Sequence, residues 1–69
     1  MNRTPVQSSN VASVGYDSDT LTLEVEFTNG SVYQYFDVPE VEYQNLIGAA
    51  SIGSCLNQNI KNNYRYVKV

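Results

Sequence analysis

The sequence predicts an α+β fold: an antiparallel three-stranded β-meander followed by two short helices, with a C-terminal edge strand open to the last five residues. Three observations predict it. Thr20–Thr28 alternates polar and apolar residues without a fault, the period of a half-buried strand. Asn29-Gly30 follows directly, a strong hairpin signal, and leads into a return stretch rich in β-branched and aromatic residues. Beyond Pro39 the apolar spacing changes to that of an amphipathic helix.

Taken in order, the first ten residues are largely polar, and Ser8-Ser9-Asn10 reads as a turn. Val11–Tyr16 alternates as the first strand, with Gly15 marking a bulge or a close approach of backbone. Asp17-Ser18-Asp19 turns the chain into the second strand, which points Leu21, Leu23, Val25 and Phe27 inward. The return strand spans Ser31–Asp37. Pro39 suits the first position of a helix, and Glu40 and Glu42 fall where the helix dipole favours acids. Tyr43, Leu46, Ile47 and Ala50 form its apolar stripe. Ser51 is the expected N-cap of the second helix, whose stripe is Ile52, Leu56, Ile60 and Tyr64, with Cys55 beside it. Arg65–Val69 then supplies the edge strand. With no repeat, linker or low-complexity run, residues 1–69 read as one domain.

The hairpin admits two registers. A two-residue Asn29-Gly30 loop pairs Glu26 with Tyr33 and turns Tyr33 and Tyr35 to the outer face beside Glu24 and Glu26, with Val32 and Phe36 inward. A three-residue loop with Gly30 at a bulge pairs Val25 with Tyr33 and moves both tyrosines to the face of Leu23, Val25 and Phe27. The two-residue loop is preferred, which makes the tyrosine pair an exposed aromatic surface.

A chain of 69 residues is near the lower limit for independent folding. Such domains commonly gain stability from disulfides, a metal or a partner subunit. Cys55 is the single cysteine and histidine is absent, so no internal disulfide, metal site or cofactor is expected. Self-association, as a dimer or higher oligomer, is therefore the expectation. No apolar run of signal-peptide or membrane-spanning length occurs, and the lone thiol suits a reducing, cytoplasmic compartment. Residues 1–60 carry all seven acids against Arg3, a balance of −6, whereas Lys61, Arg65 and Lys68 give residues 61–69 a balance of +3. The net −3 argues against a general grip on nucleic-acid backbone, while the basic end can meet one or two phosphates or form a solvated tail.

The catalytic constellations fail in turn. Without histidine there is no Ser-His-Asp or Cys-His arrangement. Cys55 sits in an apolar stripe and reads as a packing thiol. Glu24 and Glu26 share a strand face without an implied pocket. Asp17-x-Asp19 begins like a calcium loop but meets Leu21 and Thr22 where a ligand and glycine belong. Binding residues are easier to nominate. Ser51, Gly53 and Ser54 open the second helix, where backbone N–H groups can meet an anion. Asn57 and Lys61 lie four apart on one side of it, with Arg65 beyond. Tyr33 and Tyr35 offer rings for stacking a base.

The run Pro5–Asn10, then Val14-Gly15-Tyr16-Asp17, Leu23–Phe27, Gly30, Tyr33-Gln34-Tyr35, Val38-Pro39, Tyr43, Leu46, Ala50–Gly53, Asn57, Ile60 and Tyr64 resembles the KTSC family. That short domain is named for the C-terminus of some lysyl-tRNA synthetases and also occurs alone in bacterial and viral proteins. The resemblance spans nearly the whole chain and departs at Cys55-Leu56, where the family often carries aromatics. It implies RNA binding through the synthetase context and supplies no catalytic residues. Two functions are thus expected in order: a non-catalytic module that binds or sequesters a nucleotide or nucleotide-derived small ligand in an oligomer, then an RNA-binding or protein-docking module.

Overall fold

Alternating strands joined by tight turns pair most readily with their chain neighbours, and the computed structural model, which describes residues 2–69, follows that rule throughout. Strands β1 (Thr4–Pro5), β2 (Val11–Asp17), β3 (Thr22–Phe27), β4 (Val32–Tyr35) and β5 (Tyr66–Lys68) form one antiparallel sheet in sequence order. Helix α1 (Glu40–Ile47) and helix α2 (Ile52–Cys55), which continues into a wider π turn (Leu56–Ile60), lie in the connection between β4 and β5. The α+β class stands, and the expected three strands become five. The C-terminal stretch does form an edge strand. Thr4-Pro5 adds another, which two residues with no alternation could not announce. Gly15 makes room for it: a Cβ there would lie 2.6 Å from the Asn2 carbonyl oxygen. That glycine is the close-approach point, and the bulge falls earlier in β2.

The register between β2 and β3 shifts between Val11 and Ser13. Three residues apart on a regular strand, Val11 and Val14 would face opposite sides. The bulge lets both turn inward and become fully buried. Leu21 departs from the expected inward position. It precedes β3 with φ +54° and 41% of its surface exposed, and its carbonyl accepts the Val38 N–H at 2.9 Å.

The hairpin takes the three-residue loop, which overturns the preferred two-residue reading. Phe27 N–H donates to Ser31 O at 2.8 Å, Gly30 N–H donates to Phe27 O at 2.9 Å, and Gly30 adopts φ +91°. Val25 pairs with Tyr33 and Leu23 with Tyr35. The slip of one residue carries both tyrosines from the outer face to the core face. Gln34 takes the outer side instead, donating to Glu24 Oε1 at 2.9 Å. Val32, on the same alternation, also lies outward, and Phe36 is half-buried under Arg65 rather than in the core.

Both helices cover the inner face. In α1 the expected stripe narrows to Tyr43 and Leu46, because the helix stops at Gly48 and leaves Ile47 and Ala50 exposed. The Tyr43 ring stacks on Tyr16 at 5.2 Å, and Tyr16 donates its hydroxyl proton to the Val38 carbonyl. Ser51 caps α2 as expected, its Oγ accepting the Ser54 N–H at 3.3 Å. Ile52, Leu56 and Ile60 are buried at strict spacings of four. On an ordinary α-helix such a row advances about 40° at each step. The wide turn, closed by the Lys61 N–H on Leu56 O at 2.9 Å, rotates it back toward the sheet. Val11, Val14, Leu23, Val25, Tyr35, Val38 and Leu46 complete the core.

Candidate functional site

The inner face of the sheet carries two rows of facing side chains. One runs Val14, Val25, Tyr33, Lys68 across β2 to β5, and the other Tyr16, Leu23, Tyr35, Tyr66. Since α1 stacks on β2, the helical layer leans toward that side. At the β4–β5 side the aromatic ends of the rows meet an open cleft of about 410 Å³. Phe27, Tyr33, Tyr35 and Tyr66 form its wall. Tyr33 meets Phe27 edge-on at 5.6 Å, lies 6.4 Å from Tyr35 and 5.8 Å from Tyr66, and Tyr35 lies 5.6 Å from Tyr66. Tyr35 is a floor, 2% exposed, whereas Tyr66 is 52% exposed. Burial raises the Tyr35 hydroxyl above the ordinary tyrosine range, and Tyr33 and Tyr66 add to the rise.

Lys61 caps the π turn, and its Nζ stands 5.3 Å from the centre of the Phe27 ring. Among the described residues lining the cleft, Lys61 alone carries a charge, and the Asn10, Asn29 and Asn62 amides share the rim. The arrangement offers aromatic surface for a flat group, amides for its polar edge and one cation for an anion. Acids are kept away from it. Glu24 and Glu26 lie on the outer sheet face, where Arg3 reaches them at 2.8 and 3.9 Å and Ser13 donates to Glu26 at 2.8 Å. They form a hydrogen-bonded patch instead of a free acid/base pair.

The other nominated residues divide between places. Ser51, Gly53, Ser54 and Asn57 line a separate polar cleft of about 360 Å³, facing Gln7, Ser8 and Asn10. A Cβ on Gly53 would fall 2.5 Å from Asn10 Oδ1, so the glycine leaves room for that loop side chain where it stands. Arg65 lines neither cleft. Its guanidinium stands 5.3 Å from the centre of the Phe36 ring. The structure thus brings together Tyr33, Tyr35 and Lys61. Phe27, Tyr66, Asn10 and Asn62 complete that set without having been nominated. The three-residue hairpin was the sequence signal for Phe27, which it aligns with the tyrosines. Cys55 is half-buried against the core and takes a contact from Asn59 Nδ2 at 3.4 Å. No helix among the described residues is long and apolar enough to cross a membrane.

Known proteins give the frame for this geometry. An uncharacterised protein of Stutzerimonas stutzeri is 43% identical across all of this chain and 99% of its own. The lysine–tRNA ligase of Nostoc punctiforme is 37% identical over 60 residues, which cover 87% of this chain and only 11% of the ligase. The crystal structure of a KTSC domain protein from Yersinia pestis superposes with a TM-score of 0.94 at 40% identity, covering 99% of this chain and 96% of that one. The family model for the KTSC domain matches residues 7–64, from the turn before β2 to the tyrosine before β5, and this chain belongs to that family.

Proposed function

We propose that this protein is a non-catalytic binding module whose aromatic cleft holds a nucleotide or a nucleotide-derived small ligand. The observation that carries the reading is the cleft itself: about 410 Å³, walled by four aromatic rings, with Lys61 the one charged residue among the described residues lining it. That volume lies in the range of small-molecule sites, roughly 300–1,000 Å³. A base stacked on Tyr33 or Tyr66 would gain about 1–3 kcal/mol, the asparagine amides suit its polar edge, and Lys61 suits a phosphate. Binding without turnover would act by sequestration.

The test titrates a panel of nucleoside mono-, di- and cyclic phosphates while following backbone amide shifts. Signals of Phe27, Tyr33, Lys61 and Tyr66 should move together. Tyr66 is the residue to truncate, because Tyr35 is part of the core and its loss would disturb the fold. Tyr66→Ala should weaken binding by roughly 5- to 150-fold, the equivalent of one lost stacking contact, with the melting temperature nearly unchanged. Lys61→Met should weaken phosphorylated ligands more than the bare nucleoside. Unaltered affinity in Tyr66→Ala, or no binding at millimolar ligand, rejects the reading.

The similarity to a segment of a lysine–tRNA ligase favours a second reading, RNA binding through the same rings. It predicts affinity for single-stranded RNA that falls steeply with salt and drops when Lys61, Arg65 and Lys68 are neutralised.

A further inference from the structure

Strand β5 ends the sheet and all three of its residues are exposed. Phe36 N–H donates to Arg65 O at 2.8 Å and Val69 N–H donates to Val32 O at 2.8 Å. Residues 65 and 69 therefore turn their backbone groups toward β4. By the alternation of an antiparallel ladder, Tyr66 and Lys68 turn theirs away, toward an open edge. Val67 and Val69, 44% and 64% exposed, add apolar surface beside it. The strand carries no proline, and its one charged residue, Lys68, lies on the inner face, so a pairing partner must accommodate that cation.

We propose that a second copy of this chain pairs with β5 along this edge, antiparallel and centred on Val67. Only outward-facing residues can exchange hydrogen bonds, which leaves three two-fold registers. Centring on Lys68 sets two ammonium groups opposite each other. Centring on Tyr66 gives one hydrogen-bonded pair within the strand, and the next pair would need Tyr64, which lies outside it. Centring on Val67 sets Tyr66 opposite Lys68 twice, so four backbone hydrogen bonds form and each cation meets an aromatic ring instead of another cation. Val67 meets its own copy on the outer face. Tyr66 and Lys68 share the cleft-bearing face with Tyr35 and Tyr33, so each copy places its Lys68 beside the other's Tyr66 at the cleft wall. The result is a continuous ten-stranded sheet with two clefts on one side. This pairing is independent of whether the cleft takes a ligand.

The test has two parts, both without ligand. Sedimentation equilibrium should show a dimer for the natural chain and a monomer for Lys68→Pro, which removes an outward N–H while sparing the bonds to β4. Circular dichroism checks that this variant keeps its fold. In a Cys55→Ala background, the Tyr66→Cys and Lys68→Cys variants mixed and oxidised should give a covalent mixed dimer, because hydrogen-bonded partners stand about 5.5 Å apart at Cα, within disulfide reach. A natural chain that is monomeric at every concentration overturns the proposal. So does preferential self-crosslinking of Tyr66→Cys alone, which is the register centred on residue 66.

Discussion

Gly15→Ala should destabilise the whole chain and stabilise a shortened chain lacking residues 1–5. In an open strand, alanine is better than glycine by roughly 0.5–1 kcal/mol, because glycine loses more conformational freedom on folding. In the full chain the added Cβ would stand 2.6 Å from Asn2 O and 3.0 Å from Arg3 Cγ. Comfortable contact begins near about 3.5 Å, so the N-terminal segment must retreat by about 1 Å. Arg3 Nη1 now sits 2.8 Å from Glu24 Oε2, and such a retreat takes it beyond hydrogen-bonding distance. That part-buried ion pair contributes about 0.2–1 kcal/mol, and one or two backbone bonds of β1 about 1 kcal/mol each. The loss of about 2 kcal/mol exceeds the gain, leaving the full chain about 1 kcal/mol less stable. Without residues 1–5 only the gain survives. Urea unfolding of the four proteins at constant m-value measures both effects, and the coupling between them should be about 2 kcal/mol. Equal effects of Gly15→Ala in the two lengths would refute the assignment of Gly15 to the docking of the first strand.

Two further perturbations test the hairpin and the buried phenols. Gly30→Ala should cost about 1–2 kcal/mol in urea unfolding through backbone conformation alone, since φ is +91° and no atom lies within 4 Å of the new Cβ; Gly30→Asn should cost less. Tyr35, Tyr16 and Tyr64 all have hydroxyls held above the ordinary tyrosine value, mainly by burial, with nearby tyrosines at Tyr35, Glu40 and Asp17 at Tyr16, and Glu42 at Tyr64. A folded state that holds these protons more tightly than the unfolded chain is fully stabilised below about pH 10 and loses that contribution as pH rises through the folded values. Unfolding midpoints should therefore fall above about pH 10, and the fall should be shallower in Tyr64→Phe.

Elements with a strong period were legible, and those set by tertiary contact were not. The unbroken alternation before Asn29 fixed β3, and Ser51 announced its helix through a local cap. β1 has two residues and depends on space left by Gly15 in another strand. The hairpin register turned on one loop residue, because Asn29-Gly30 suits both the two-residue turn and the bulged loop that the chain adopts. That one-residue difference hid half the site. With Tyr33 outward, neither Phe27 nor Tyr66 belongs near it. With Tyr33 inward, all four rings converge. Ser51, Gly53 and Ser54 share a cleft with Asn57, whereas Lys61, which the spacing of four had grouped with Asn57, lines the other one. Arg65 looked like a companion of Lys61 only in the linear sequence, since the chain reverses into β5 between them.

The aromatic row across the sheet explains why a cleft exists at all. Tyr16, Leu23, Tyr35 and Tyr66 occupy equivalent places on successive strands, yet Tyr35 is 2% exposed and Tyr66 is 52% exposed. The difference lies in the layer above. Tyr43 anchors α1 on Tyr16, and the second helix follows α1, so cover thins toward β5. A flat molecule resting on Tyr33 and Tyr66 would extend the core by completing cover that the chain itself does not provide. Binding and stability are then linked: ligand at a hundred times its dissociation constant should add about 2.7 kcal/mol to unfolding. At the same ligand concentration a roughly 5- to 150-fold weaker Tyr66→Ala should keep only about 1.8 to 0.3 kcal/mol of that gain while leaving the unliganded protein almost as stable as before, a separation that the same change at Tyr35 could not give.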